Sequence, residues 1–371
     1  MRAIYIDNKI KGAIKQLINY FIEGVFDKKN TKVIFKYYKE SFEFYKKELE
    51  KHSISYIYYK NINSLDLSDC KVIFYLFNAQ SNCRIVSFRD AKHIFVTHGE
   101  SNKLASIKPI IRIYDYVVCA GDAGIHRYIE NGIFTTYDAQ TNRIIKLGDT
   151  FIGKSRYKKA QNKKDSYLLY APTWEGGVIS ESYSSLSADL NSFKIIKEFA
   201  KANDIENVVI QAHPNTGHRD KKYNEYLENG IKLLEDNLLK VESVNTKINK
   251  KTFFSTFLKK EKDINTEEKI YSIYRAFIDV SAMETQLLNE NIDTNIFIND
   301  MQNAIVKNQL LYDYYKIVSI KELDKEPIIT DYLENIKDYY IGYSFEKLKD
   351  MTKNQRVEWL VEFTKEKRKE T

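Results

Sequence analysis

Residues 208–214 (VVIQAHP) show the pattern that decides the fold: a short apolar run that ends in a histidine and a proline. Residues 94–100 (IFVTHGE) repeat this pattern with a glycine in place of the proline. Apolar runs of this length are typical of strands in parallel sheets, and ligands of such sheets bind beyond the carboxyl ends of the strands. The two runs therefore predict two α/β domains, each of which offers one imidazole to a shared cleft.

The composition predicts a globular chain of more than one domain. The chain has 371 residues, of which 43% are hydrophobic and 29% are charged. No apolar run approaches the roughly 20 residues that span a bilayer, and the first residues resemble a strand rather than a signal peptide. We therefore expect a cytoplasmic protein.

The formal net charge of +7 is modest, and the lysines cluster in residues 154–164, 247–262 and 365–369. Such runs are usually solvated loops. The alternative is an anionic partner, either a phosphate-rich substrate or an anionic membrane surface that the protein contacts peripherally. No nucleic acid is expected as a partner, because the chain carries no recognisable binding motif.

Strand and helix patterns alternate along the first half of the chain. The predicted helices cover residues 9–26, 40–52 and 122–130. The predicted strands cover residues 3–6, 32–37, 54–59, 71–77, 93–97, 116–119 and 143–147. This alternation predicts a doubly wound N-terminal domain over residues 1–152.

The alternation restarts after the basic stretch 154–165, which has the composition of a linker. A second Rossmann-like domain is predicted over residues 153–343, with an insertion at 247–262, and a helical segment that packs back on the body over residues 344–371. The predicted strands of the second domain cover residues 166–171, 207–211, 276–280, 294–298 and 316–319. Its predicted helices cover residues 187–202, 221–237, 266–275, 282–289 and 300–312.

The two histidines are the strongest candidates for catalysis. His98 precedes Gly99, which lets the chain turn and expose the imidazole, and Glu100 and Lys103 follow at once. A histidine near neutral pKa can take a proton from an attacking hydroxyl. The alternative is a histidine at a strand end that only bonds to backbone.

His213 precedes Pro214, which keeps it out of the helical conformation. A strand end beside a helix N-terminus suits contact with a phosphate or a leaving group.

Three further elements add candidate ligands at strand ends. Thr173 can donate to a phosphate, and Trp174 can form the wall of a pocket or pack between the domains. Ser281 at the start of a helix suits capping or phosphate contact, while Glu284 can accept from ribose hydroxyls or cap the helix. A last group of two residues at the end of the first domain is expected at the floor of the cleft: Gly148 and Asp149.

Several chemistries are excluded by the absence of their motifs. The chain has no GxGxxG, no GxSxG and no Asp-x-Asp pair. No cluster of His, Cys and carboxylate has metal-ligand spacing. No cofactor and no metal site are therefore predicted, and a loosely bound divalent cation stays open.

Taken in order, five short motifs resemble one family: residues 97–99, 147–149, 171–174, 213–214 and 279–281. The chain resembles the CDP-glycerol glycerophosphotransferases of teichoic acid and capsular polymer synthesis. The resemblance implies a GT-B fold of two facing Rossmann-like domains, with His98 as the base on the acceptor hydroxyl. It also implies donor-phosphate contacts by His213, Thr173 and Ser281, while Asp279 belongs to the matching Asp-Val-Ser motif.

The chain departs from that family after both the His-Gly and the Asp-Val-Ser motifs, which leaves the substrates open. The leading hypothesis is transfer of glycerol phosphate, or a similar polyol phosphate, from a CDP-activated donor to a polymer or lipid-linked acceptor. The alternative is a GT-B glycosyltransferase that uses a CMP-, UDP- or GDP-sugar for surface glycan synthesis. The third hypothesis is a non-catalytic partner that keeps the fold, which predicts no affinity for nucleotides.

Overall fold

The strands of the chain form two parallel sheets, one in each of two units. The computed structural model describes residues 1–97, 99–177, 179–244, 269–298 and 334–366. Over these residues, unit 1 is drawn from Met1–Glu100, Leu104–Lys154 and Glu334–Thr371, and unit 2 from Ser101–Lys103 and Ser155–Leu333.

Unit 1 has a seven-stranded sheet in the order β3-β2-β1-β4-β5-β6-β7. The strands are β1 (Arg2–Ile6), β2 (Thr31–Lys36), β3 (Tyr56–Tyr59), β4 (Val72–Tyr75), β5 (Lys92–Phe95), β6 (Tyr116–Cys119) and β7 (Ile144–Lys146). The helices before β7 are α1 (Lys11–Ile22), α2 (Phe42–Lys51), α3 (Cys83–Val86), α4 (Asp122–Glu130) and α5 (Thr136–Gln140). Each strand predicted for this half is present, and most are shorter than predicted.

Both faces of the unit 1 sheet are covered. Ile4 and Ile6 belong to one apolar cluster, while Ala3 and Tyr5 belong to the other. Alternate residues of a strand point to opposite faces. A sheet buried on both faces therefore needs apolar residues at every position, which explains why its strands read as continuous apolar runs.

The C-terminal segment packs on unit 1 through α9 (Glu334–Tyr340) and α10 (Lys353–Glu366). The sequence predicted residues 334–343 in the second domain, and the structure corrects this. Gly121 at the start of α4 has no Cβ, and a Cβ there would lie 2.5 Å from the Tyr340 backbone. In addition, Gly342 N–H donates to the Ala120 carbonyl at 2.9 Å. This close backbone approach is a tertiary feature with no sequence pattern.

Unit 2 has a six-stranded sheet in which β11-β10-β9-β12-β13 are neighbours and β8 pairs with β12. The strands are β8 (Tyr157–Lys159), β9 (Tyr167–Ala171), β10 (Asn207–Ile210), β11 (Lys240–Ser243), β12 (Tyr271–Asp279) and β13 (Thr294–Phe297). The helices are α6 (Asn191–Ala202), α7 (Lys222–Asp236) and α8 (Met283–Asn289). Every pairing among these described strands is parallel.

Two predictions for the second half were wrong. The described part of the predicted helix 266–275 is the first half of β12, whose aromatic and β-branched residues alternate between buried and less buried positions. The predicted linker contains β8, whose Tyr157 pairs with Tyr271 of β12. A three-residue strand with two exposed lysines is too short to show a pattern. The predicted insertion 247–262, helix 300–312 and strand 316–319 lie outside the described residues.

None of the helices within the described ranges is long and apolar enough to cross a membrane.

Gly148 gives a stability prediction for unit 1. It has φ +56, and a Cβ there would lie 2.2 Å from the Tyr343 ring. Gly132 also has a positive φ (+67), but nothing lies within 4 Å of its Cβ position. We expect Gly132→Ala to lose about 1–2 kcal/mol through backbone strain, and Gly148→Ala to lose roughly 1–3 kcal/mol more through overpacking.

Urea unfolding followed by tryptophan fluorescence measures this difference. The chain has two tryptophans, and in a Trp174→Phe background Trp359 of α10 reports on unit 1 alone. Equal losses in the two alanine variants would contradict the packing role assigned to Gly148.

Candidate functional site

The candidate site lies at the carboxyl ends of three neighbouring strands of unit 2. The neighbours β10, β9 and β12 run parallel, and the chain order of the sheet reverses between β9 and β12. Ligands of open α/β sheets bind at this kind of reversal. Thr173 follows β9, His213 follows β10 and Asp279 ends β12. The parallel topology thus brings three of the predicted residues to one edge.

Asp279 joins the ends of β9 and β12. Its carboxylate is fully buried, and Oδ2 accepts hydrogen bonds from the Thr173 N–H at 2.6 Å and the Ser185 N–H at 3.1 Å. Oδ1 is buried without a hydrogen-bond partner among the described residues. Burial raises the pKa of Asp279 to about 7, although these donors and the charge of Lys103 act in the opposite direction.

Lys103 belongs to unit 2 although its chain neighbours on both sides are in unit 1. Its Nζ donates to Thr173 Oγ1 at 2.8 Å and lies 5.5 Å from the centre of the Tyr183 ring. Burial lowers the pKa of Lys103 to about 8, although the charge of Asp279 raises it. The sequence predicted Lys103 as a residue of the acceptor side or of the cleft. The structure places its ammonium group beside the predicted donor residue Thr173.

The His213 ring is held in one orientation and one tautomer. It stacks on Trp174, with ring centroids 5.8 Å apart and an interplanar angle of 16°. Nδ1 accepts from the Asn215 N–H at 3.1 Å, which assigns the ring proton to Nε2. Burial, and then the charge of Lys103, lower the pKa of His213 to about 4, against the opposing charge of Glu175. His213 is therefore a neutral N–H donor at neutral pH, and Lys103 supplies the positive charge.

Glu175 is a site residue that the sequence analysis missed. Its side chain is fully buried and accepts backbone N–H bonds from Gly217 at 3.0 Å, Arg219 at 2.8 Å and Asp220 at 3.1 Å. Burial raises the pKa of this carboxyl, but the backbone donors outweigh burial and hold it below its usual value. The available signal was a carboxylate between a strand end and the glycine pair at 176–177.

The other predicted donor residues surround the same strand ends. Ser281 Oγ accepts from the N–H of Met283, the first residue of α8, at 3.3 Å. Glu284 is buried in the first turn of that helix. Pro214 is exposed at the start of the turn in which the Thr216 N–H donates to the His213 carbonyl at 2.9 Å.

Of the residues predicted for the acceptor or the cleft, Lys103 is in unit 2, and the others are in unit 1: Gly99, Glu100, Gly148 and Asp149. His98 lies outside the described residues, but its neighbours form an unusual turn. The β-branched Thr97 has φ +55 and Gly99 has φ +140, while Thr97 Oγ1 donates to the Gly99 carbonyl at 3.0 Å. A β-branched residue at positive φ is rare and often marks a functional site.

The structure gives structural partners to the remaining predicted acceptor residues. Glu100 is buried, accepts from the Ala120 N–H and lies 3.5 Å from the Arg127 guanidinium. Burial raises the pKa of Glu100.

Gly148 and Asp149 lie against the C-terminal segment, where Asp149 pairs with Arg356 and accepts from the Tyr343 hydroxyl at 2.9 Å. These contacts give Glu100, Gly148 and Asp149 partners within unit 1, and the expectation of a cleft floor at Gly148 and Asp149 stays a prediction. Within the part of the chain that the structure describes, no group of three His, Cys, Asp or Glu residues could hold a metal ion.

Comparison with known proteins identifies the fold. No protein-family model matches the chain, and no curated protein matches its sequence. The crystal structure of Anabaena Alr3699/HepE in complex with UDP matches with a TM-score of 0.51 at 11% identity, over 98% of this chain and 100% of that one. Its complex with UDP-glucose matches with a TM-score of 0.50 over the same shares, also at 11% identity. The prediction of a GT-B α/β protein with two Rossmann-like domains is confirmed.

The raised pKa of Asp279 gives a prediction for stability against pH. Between its unfolded value of 3.8 and its folded value of about 7, the folded protein binds the proton more tightly, so its stability falls as pH rises. The loss approaches about 1.4 kcal/mol per pH unit for one full proton. Asp279→Asn removes this contribution, so the stability of the wild type relative to the variant should fall from pH 5 to pH 7.

Urea unfolding of unit 2, followed by Trp174 fluorescence in a Trp359→Phe background, measures this difference. Taking the difference cancels the opposite contribution of His213, whose lowered pKa makes stability rise with pH over part of this range. A difference that is constant from pH 5 to pH 7 would show that Asp279 ionises normally.

Proposed function

We propose that the chain is a transferase whose unit 2 binds the diphosphate of a nucleotide-activated donor. The observation that carries this proposal is the group of Lys103, Thr173 and His213 at the strand reversal of unit 2. A partly desolvated ammonium, a hydroxyl and a neutral imidazole N–H are suitable donors to phosphate oxygens. Their partial burial strengthens each interaction with an anion relative to water.

We propose a nucleotide sugar as the donor. Support comes from the solved complexes of the similar HepE structure, which contain UDP and UDP-glucose. In this reaction the acceptor oxygen attacks the anomeric carbon and the bond from that carbon to the diphosphate oxygen breaks. The nucleoside diphosphate leaves with both electrons of that bond. Lys103, the His213 Nε2–H and the Thr173 hydroxyl then stabilise the charge that develops on it.

A CDP-activated polyol phosphate is the second candidate donor. It is favoured by the order of the five motifs from residues 97–99 to residues 279–281. Here the acceptor oxygen attacks phosphorus, and the bond of the diphosphate bridge breaks to release CMP. The same three side chains would stabilise the leaving phosphate, so the two candidates differ in the atom attacked and in the base and sugar recognised.

His98 is proposed as the base that accepts the proton of the acceptor hydroxyl, on the evidence of the His-Gly motif. The acceptor is proposed to be a hydroxyl of a cell-surface polymer or a lipid-linked glycan, and the lysine runs support contact with an anionic membrane. Asp279 is given no proton-transfer role, because it is buried and bonded to two backbone N–H groups.

A donor panel tests the proposed function. UDP, GDP, CMP and CDP-glycerol are titrated into the full chain by calorimetry, and turnover is then measured with the matching activated donors. We expect binding of one nucleoside diphosphate and turnover of its sugar conjugate. Turnover of CDP-glycerol alone would establish the second candidate, and no binding of any nucleotide would support the non-catalytic alternative.

Variants of Lys103, His98 and His213 test the assigned roles. Lys103→Met should weaken diphosphate binding roughly 10–100-fold, as expected for one charge-assisted hydrogen bond, and leave binding of the free nucleoside unchanged. Lys240→Met is the matched control, because Lys240 is an exposed lysine of the same unit paired with Glu206.

His98→Ala and His213→Ala should each lower turnover about 10²–10⁴-fold. Diphosphate affinity that is unchanged in Lys103→Met would contradict the site.

A further inference from the structure

The buried carboxylate of Glu175 is surrounded by residues 213–220, a segment that begins at His213 and is here named the histidine loop. Three backbone N–H groups of this loop donate to Glu175, from positions 42 to 45 residues further along the chain. An ionised carboxylate is costly to bury unless donors surround it. We propose that Glu175 is a positioning residue: it is the internal anion around which the histidine loop folds, and it thereby sets the orientation and tautomer of His213.

Hydrogen bonds within the loop connect Glu175 to the imidazole. The Asn215 N–H donates to His213 Nδ1 at 3.1 Å, and the Thr216 hydroxyl donates to the His213 carbonyl at 2.8 Å. The next residue, Gly217, is the first that donates to Glu175. Gly217 has φ +74, and the Asn224 side chain occupies the place of a Cβ. The loop backbone between the imidazole and the carboxylate therefore has little freedom to move independently.

The backbone beside Glu175 also contacts His213 directly. The His213 N–H donates to the Pro172 carbonyl at 3.1 Å, and the Trp174 ring stacks on the imidazole. The Arg219 guanidinium donates to the Glu175 carbonyl at 2.8 Å. Residues 172–175 and the histidine loop are thus joined at both the side chain and the main chain of Glu175.

This inference deepens the proposed function and rests on it for its kinetic part. Because Glu175 already occupies the N–H groups of Gly217, Arg219 and Asp220, these groups do not bind the donor. Among the remaining groups of the site, the His213 Nε2–H is available to the donor's anion only in the tautomer that the Asn215 N–H imposes. Loss of Glu175 should therefore impair the departure of the leaving group more than it impairs donor binding.

Two charges act on the pKa of His213, so a variant of Glu175 should change this pKa as well as the tautomer. Glu175 raises the pKa of His213, while Lys103 lowers it. Glu175→Gln removes one of these two charges and should lower the His213 pKa further. A purely structural filler at position 175 would not produce that shift.

Nitrogen-15 NMR of the imidazoles in the full chain tests the inference, with the His213→Asn variant used to assign the signal. At pH 7.5 we expect the wild type to show only the Nε2–H tautomer at His213. Glu175→Gln should show a mixture of both neutral tautomers, a lower His213 pKa, and a kcat at least about 10-fold lower with a donor KM that changes less. Glu206→Gln, at an exposed glutamate of the same unit, should match the wild type in all three readouts.

Glu175→Asp keeps the charge but shortens the side chain, so it should give an intermediate tautomer mixture, and it decides the question if Glu175→Gln does not fold. A folded Glu175→Gln or Glu175→Asp protein that keeps the single tautomer would overturn the inference. The NMR readouts need no substrate. Failure of the proposed function would appear as absent turnover with the tautomer effect intact, whereas failure of this inference would appear in the spectra themselves.

Discussion

The two hydrogen bonds that Asp279 accepts from the backbone of Thr173 and Ser185 hold the candidate site together. They join the end of β12 to the segment after β9, across the point where the strand order of unit 2 reverses. Burial at this point disfavours the ionised form of the Asp279 carboxyl and therefore raises its pKa. The arrangement places Thr173 where Lys103 can reach it, and the Ser184 hydroxyl completes it by donating to the Thr173 carbonyl at 2.8 Å.

The site contains three charged groups whose environments differ. Glu175 has three backbone donors and keeps a lowered pKa, whereas Asp279 has two donors on one oxygen and a raised pKa. Lys103 is bonded to a neutral hydroxyl and has a lowered pKa. Burial raises the pKa of both carboxyls, and the hydrogen-bond donors outweigh burial only at Glu175. The proposed function uses the ammonium group of Lys103 to bind an external anion.

Sequence reasoning succeeded where a local pattern carries the information. The strands of unit 1 were all predicted, because a sheet buried on both faces requires continuous apolar runs. The segment 266–275 was assigned to a helix, because its alternation continues into a fully buried run that hides the strand period. Strand β8 was missed because two of its three residues are exposed lysines. Short or mixed elements are recognised by their pairing, and pairing is not local.

The residues of the site divide in the same way. Four residues of the candidate site were predicted from the sequence because each lies at or just after the end of an apolar run: His213, Thr173, Trp174 and Asp279. At such positions a predicted strand is followed by a turn. The neutral state of the His213 ring, the placement of Lys103 beside Thr173 and the proposed role of Glu175 were decided only by the tertiary structure. The physical reason is that each of these properties depends on a partner remote in the chain or on burial. A hydrogen-bond donor 42 residues away, or the loss of solvent around an ammonium group, leaves no trace in the local order of residues.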